Sequence, residues 1–289
     1  MDLGLVWQTV VNGWITSFSY AVLAVGLALI FGVARLANFA WGEFFMVGAY
    51  AVWFLYTMGG WPFPVALLGA MGVVGGMGLI TEITIFKRLR GNIPATFMAA
   101  TGLIYILQVF VGQVWGLGRT KPVLPPIPGS LEIFGASVGW QRFVIIPAGI
   151  AMIGGLWLFL HRVKLGQALR ATCQDAEAAS LQGINPDRMA LLAMGIASAF
   201  AGAAGALLSP VYSVTPYMGT RIILMVFIIV VFGGVGSIEG ALLASIILGF
   251  LYAVITTLSD STVATIVSAL IMAAVLAFRP QGLLGREKA

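Results

Sequence analysis

The chain has 289 residues, of which 60% are hydrophobic and only 9% charged, with a formal net charge of +5 at pH 7. Soluble domains carry roughly one-quarter charged residues, so the composition excludes a soluble globular domain and points to a membrane protein. The basic excess is then a matter of topology, with no nucleic-acid partner expected, and a lone Cys173 rules out an internal disulfide.

A spanning helix needs roughly 20 mostly apolar residues. The first such stretch, Leu3 to Ala34, contains no charge; Met1-Asp2 before it lacks the basic start of a cleaved signal, so a retained helix is expected. A polar interruption follows, with Arg35, Asn38 and Glu43 inside a run otherwise fit for lipid. Arg35 and Glu43 flank either a tight turn between two ordinary spans or a break that lines a path, and Asn38 fits the second reading better, because polar groups at membrane depth need water or a partner. Phe44 to Met58, Pro62 to Phe86 and Ala95 to Leu117 are the next apolar stretches. The loop from Arg119 to Arg142 holds Pro122, Pro125, Pro126 and Pro128, which make it stiff; it either meets an arriving solute or shields the bundle.

After Phe143 to His161 comes the one long polar stretch, residues 162–188. It contains Glu177-Ala178-Ala179, then Gly183, then Pro186, which spells a short Ala-rich helix, a residue free to take positive φ, and the start of another helix. A helix with small residues on one face and charges on the other suits a groove on a second protein. Met189 to Ser209, Ile222 to Gly236, Ala241 to Leu258 and Thr262 to Phe278 complete the set. Eight or nine crossings are expected, in an all-α polytopic protein forming a single membrane domain over residues 1–289, with the 162–188 loop inside it.

A second interruption, Gly233-Gly234-Val235-Gly236-Ser237-Ile238-Glu239-Gly240, mirrors the first. Its glycines either let helices approach closely or open a path, and Glu239 either faces water at a helix end or joins that path. One interruption in each half of a membrane chain is the sequence pointer to two interrupted helices at the interface of an internal inverted repeat. The same glycines imitate a dinucleotide fingerprint, but no βαβ unit surrounds them.

With residues 162–188 placed in the cytoplasm, eleven of the fifteen basic residues lie inside: Arg35, Lys87, Arg88, Arg90, Arg162, Lys164, Arg170, Arg188, Arg279, Arg286 and Lys288. Arg119, Lys121, Arg142 and Arg221 lie outside. This asymmetry predicts an external N-terminus and a cytoplasmic C-terminus. Enzyme chemistry is not expected. His161 is the only histidine, so no metal set forms around it. There is also no nucleophile elbow and no phosphate-binding loop, so neither metal nor cofactor is expected, and any ATP hydrolysis falls to another subunit. A secondary transporter or channel is a rival class, but it has no need of a polar docking stretch.

The run Gly32-Val33-x-Arg35-Leu36-x-Asn38-Phe39-Ala40-x-Gly42-Glu43-Phe44-x-Met46-x-Gly48-Ala49-Tyr50 resembles the opening signature of branched-chain amino-acid ABC transporter permeases, the shorter H-type subunit. Three later stretches are similar to the same family: Gly166 to Ile184, Ala201 to Leu207 with Pro210, Pro216 and Met218-Gly219, and Gly233 to Ala241. The resemblance implies a bacterial inner-membrane importer subunit. Its partners would be a second, similar permease (a heterodimer), two cytoplasmic ATPases and a periplasmic binding protein. Carried over, Arg170, Asp175, Glu177, Ala178, Ala179 and Gly183 are the coupling residues that dock on an ATPase. Asn38, Trp41, Gly42, Glu43, Gly234, Gly236 and Ser237 take the broken-helix positions of the translocation path. The family commonly has His at the place of Trp41, and many members have Lys at the place of Met225. Losing both polar groups fits an aromatic solute as well as a branched-chain amino acid, and relatives also handle urea and short amides.

Overall fold

The computed structural model describes residues 3–34, 38–116, 120–133 and 136–285. Expectations that fall on Met1, Asp2, Arg35, Leu36, Leu117, Arg119, Arg286 and Lys288 lie outside the described residues. The elements are α1 (Leu3–Ala34), α2 (Trp41–Val52) continued by a π-helical turn (Trp53–Met58), α3 (Phe63–Thr81) continued by a second π turn (Glu82–Phe86), α4 (Lys87–Leu89), α5 (Ile93–Trp115), β1 (Ser130–Ile133), β2 (Ala136–Gly139), α6 (Trp140–Arg162), α7 (Lys164–Gln174), α8 (Ala176–Leu181), α9 (Pro186–Leu208), α10 (Met218–Gly233), α11 (Ile238–Leu258) and α12 (Ser261–Phe278).

Every apolar stretch read from the sequence falls on a helix, with Ile222 to Gly236 leaving it at Gly233, and the protein is an all-α polytopic membrane protein. Among the described residues, seven helices are long and apolar enough to cross a bilayer. α10, with 16 residues, and the run from Trp41 to Met58 are the shorter members. Both expected interruptions are present among the described residues, since residues 38–40 between α1 and α2 are not helical, while α10 stops at Gly233 and α11 starts at Ile238. Among the described residues, the strands form a small antiparallel hairpin, in which Ser130 pairs with Gly139 and Leu131 with Val138, and an isolated antiparallel bridge joins Lys121 to Val214. The hairpin follows Gly129, whose φ of +107° turns the chain after the stiff proline segment.

The chain divides into two compact units, Leu29–Leu124 with Gly154–Leu224, and Met1–Ala28 with Pro125–Ile153 and Met225–Ala289. In the first, α9 is the helix on which the others close. The hydrophobic effect does not press helices together in lipid, so close contact between small residues must do so. The α9 sequence Ala-Gly-Ala-Ala-Gly-Ala, residues 201–206, is buried throughout. Gly48 of α2 lies so near Gly202 that a Cβ on Gly48 would strike the Gly202 backbone, a Cβ on Gly202 would strike Val74 and the Ala70 carbonyl of α3, and a Cβ on Gly205 would strike the Phe45 carbonyl. On the other side of α9, Gly78 of α3 meets Ser198, and Ala199 faces Gly75.

In the second unit, α1 and α11 pack through Gly249 against Ser17 and through Gly13 against the Phe250 ring. The Ser17 hydroxyl donates to the Ile246 carbonyl at 3.2 Å, and Trp14 meets Phe250 edge-on at 5.1 Å. Arg142 of α6 donates to the Asn12 side chain of α1 at 3.0 Å. The backbone amides of Leu283 and Leu284 bond the carbonyls of Phe232 and Gly233 at 2.9 and 3.0 Å, so the segment after α12 caps α10. The outward faces are apolar, as on α12, where Ile266 and Leu270 are exposed, and in a bilayer lipid covers them.

A Gly48→Val substitution is expected to wedge α2 off α9, at a cost of about 1–3 kcal/mol, seen as a lower thermal midpoint in detergent. Gly72→Ala, where nothing lies within 4 Å of the added carbon, is the control and should leave the midpoint unchanged.

Candidate functional site

The first interruption re-enters helix without a side-chain cap on Ala40. Asn38 supplies the turn: its Oδ1 accepts from the Ala40 amide at 3.1 Å and its carbonyl from the Trp41 amide at 3.3 Å. Asn38 is 2% exposed and Trp41 and Glu43 are fully buried. Glu43 sits in the first turn of α2, where the positive end of the helix dipole favours an anion.

A second helix start meets the first here. Gly42 and Gly219 pack backbone to backbone, with no room for a Cβ on either, which brings the first turn of α10 onto the first turn of α2. Thr220 then donates to Glu43 Oε1 at 3.2 Å. Gln108 of α5 donates to the same oxygen at 2.9 Å and lies 2.9 Å from the Thr220 hydroxyl. Gln108 is about 22 Å along α5 at 1.5 Å per residue, well within a hydrocarbon core of about 30 Å. The arrangement is a buried carboxylate held by one amide, one hydroxyl and two helix N-termini. No cation is within ion-pair distance of it among the described residues. Glu43 Oε2, Asn38 Nδ2, Trp41 Nε1 and the Tyr50 hydroxyl have no hydrogen-bond partner there. Tyr50 is one helical face with Glu43 and stacks on Trp115 at 5.3 Å.

The structure therefore brings Asn38, Trp41, Gly42 and Glu43 together and adds Gln108 and Thr220, which sequence reading missed. The only signal for Gln108 was an amide in an apolar span, a signal it shares with Gln113. Gly234, Gly236 and Ser237 form a separate cluster. Gly234 and Gly236 have φ of +108° and +83°, and Gly234 packs against the backbone of Gly282 and Gly285. The Ser237 hydroxyl accepts from the Gly240 amide at 3.0 Å and caps α11. Met225 is buried in α10, and Glu239 is exposed.

The polar stretch is helical as spelled. Asp175 Oδ1 caps α8 by accepting from the amides of Glu177 and Ala178 at 2.9 and 3.0 Å. Gly183, at φ +81°, ends it, with its amide on the Ser180 carbonyl and that of Ile184 on the Ala179 carbonyl, the paired bonds of a Schellman motif. Asn185 then caps α9 at Pro186. Arg170, Asp175, Glu177, Ala178 and Gly183 are exposed, whereas Ala179 is only 4% exposed and turns inward. The outer face of α8 instead ends in Leu181, 89% exposed, a residue the sequence reading passed over.

The sequence pattern of the family described as branched-chain amino acid transport system / permease component matches residues 9–277. The chain belongs to this family. It is similar to the high-affinity branched-chain amino acid transport system permease protein LivH of Escherichia coli, with 32% identity covering 97% of this chain and 96% of that one. LivM of the same organism, also a permease protein of that system, is 28% identical over 92% of this chain and 67% of its own length. A solved structure, PsaBC from Streptococcus pneumoniae in complex with Fab, has a similar fold, with a TM-score of 0.52 at 13% identity over 93% of this chain and 90% of that one.

Removing the Glu43 side chain as Glu43→Ala leaves Gln108 and Thr220 a shared acceptor short and should cost about 1–3 kcal/mol of stability, read as a thermal midpoint; Glu43→Gln, which keeps the shape, should cost less. In α7, burial pushes the Cys173 thiol up to about 11. The thiolate is the reactive form, so maleimide labelling of Cys173 at pH 7 is expected to be far slower than that of free cysteine and to rise about tenfold per pH unit towards pH 11.

Proposed function

We propose that this chain is one membrane subunit of an ATP-driven importer for hydrophobic amino acids, working with a second permease, two ATPase subunits and a solute-binding protein. The observation that carries the reading is the family match over residues 9–277. The similarity to both LivH and LivM, two permease proteins named for one system, supports a pairing of unlike permeases. The chain itself has no enzymatic role in this reading. The two compact units work as one membrane domain, set in a bacterial inner membrane with the N-terminus external and the C-terminus cytoplasmic. Two supports for that orientation are the basic asymmetry and the pairing of Lys87 and Arg90 with Asp187, which brings the basic α3–α5 connection to the α8–α9 connection at one end.

Mechanistically, α8 is the docking helix, with Ala178, Glu177 and Leu181 meeting the ATPase, Arg170 flanking them, and Asp175, Ala179 and Gly183 fixing the shape of the helix. Nucleotide-driven movement of α8 is carried into the membrane helices, which rock to expose the solute to one side and then the other. Asn38, Trp41, Gly42 and Glu43 are path-lining residues at the first interruption, and Gly234, Gly236 and Ser237 are path-lining residues at the second. Glu43 supplies a buried acceptor for a solute ammonium group, and the paired N-termini of α2 and α10 suit a solute carboxylate. A second solute class, aromatic acids, is favoured by Trp41, fully buried with its indole N–H unpartnered.

An exposed apolar anchor that becomes buried at an interface contributes strongly to association. Leu181→Asp is therefore expected to reduce ATPase co-purification at least tenfold and to abolish leucine uptake while the permease still inserts and keeps its thermal midpoint. Unchanged co-purification and uptake would refute α8 as the docking element.

A further inference from the structure

At one end of the first unit, Arg90 reaches two acids on different helices. One guanidinium nitrogen bonds Glu82, in the π turn that ends α3, and another bonds Asp187, in the first turn of α9. Lys87 adds a longer contact to Asp187 at 3.4 Å. The two acids are not equivalent: the Glu82 side chain is 2% exposed and that of Asp187 is 50% exposed. Glu82 is thus a buried acid whose sole cationic partner within ion-pair distance, among the described residues, is Arg90. Removing one member of a buried ion pair leaves the other uncompensated, so the end of α3 cannot part from Arg90 without exposing or neutralising Glu82.

Asp187 stands directly behind the exposed helix α8. From Leu181 the chain passes through the Gly183 turn, closed by the Ile184 to Ala179 bond, to Asn185, whose side chain accepts from the Asp187 amide at 3.0 Å. No slack separates the end of α8 from Asp187. Beyond the ion pairs, α3 and α9 lie against each other through Gly78 on Ser198 and Leu79 on Gly195, so both arms of the guanidinium end on the same helix pair.

We propose that Arg90 is a positioning residue that ties the start of α9, which follows α8 without slack, to the end of α3, so that a displacement of α8 passed to α9 moves α3 with it. The inference rests on α8 being the ATPase-docking helix, and it adds a residue on the α4–α5 connection to the transmission path. Arg serves better than Lys at this point because its planar fork can hold two carboxylates at once.

The experiment is hydrogen exchange on the complete complex with its ATPases, nucleotide-free and vanadate-trapped, a readout that needs no solute. In the unmodified complex, trapping should alter exchange in 164–185, at the start of α9 and in 74–86. In Arg90→Ala the change should persist in 164–185 but vanish from 74–86, with ATP hydrolysis retained. Arg90→Lys, which keeps a cation beside buried Glu82 but not the fork that holds both acids, should keep the thermal midpoint and the response in 164–185 while weakening the response in 74–86. Asp187→Asn, which removes only the half-exposed arm, should weaken the response at least twofold and serves if Arg90→Ala does not fold. The inference is overturned if 74–86 responds in Arg90→Ala as in the unmodified complex, if it is silent in the unmodified complex, or if Asp187→Asn leaves it unchanged. A missing response in 164–185 of the unmodified complex would count against α8 as the docking helix, and so against the proposed function itself.

Discussion

Contact between Gly48 and Gly202, backbone on backbone, is the approach on which the first unit depends. Within lipid an apolar side chain gains nothing by touching another helix instead of an acyl chain, so helices hold where surfaces come near enough for dispersion to add up. The run from Ala201 to Ala206 gives α9 a smooth face, and α2 and α3 close on it from two sides. Longer side chains at these places would hold the helices apart, and the short α2 has little other surface to compensate.

That close approach also explains how a carboxylate can be tolerated at membrane depth. Gly42 and Gly219 let two helix starts touch, and their unpaired backbone donors and dipoles make a locally positive environment. Gln108 and Thr220 then supply directed bonds to one oxygen of Glu43. The other oxygen is unpartnered, and such half-satisfied buried polar groups are costly enough that proteins keep few of them. The cost is concentrated where the sequence breaks its own apolar pattern, which is where a solute with polar ends would have most to gain.

What could be read from the sequence was local. Glu177-Ala178-Ala179, Gly183 and Pro186 specify a helix, its end and the next start within a dozen residues, and the structure follows them. The apolar spans were equally legible, because length and composition alone decide them. Gln108 and Thr220 were not, since their meaning arises only when α5 and α10 arrive beside α2. Ala179 and Leu181 show the same limit on a smaller scale: both lie in one turn of helix, and only packing reveals that the first faces inward and the second outward. The hairpin from Ser130 to Gly139 escaped because four-residue strands give too short a pattern to stand out in an apolar chain.

The segment after α12 carries a consequence for how the chain is made. The carbonyls of Phe232 and Gly233 are bonded by the amides of Leu283 and Leu284, which are synthesised two helices later. A ribosome that has released α10 has therefore delivered a helix whose final turn lacks these partners, and it must insert α11 and α12 as a pair before they arrive. Leu283 and Leu284 thus act as a fastener applied only after α12 has emerged, and a stop codon just before Leu283 would leave the final turn of α10 without these two bonds.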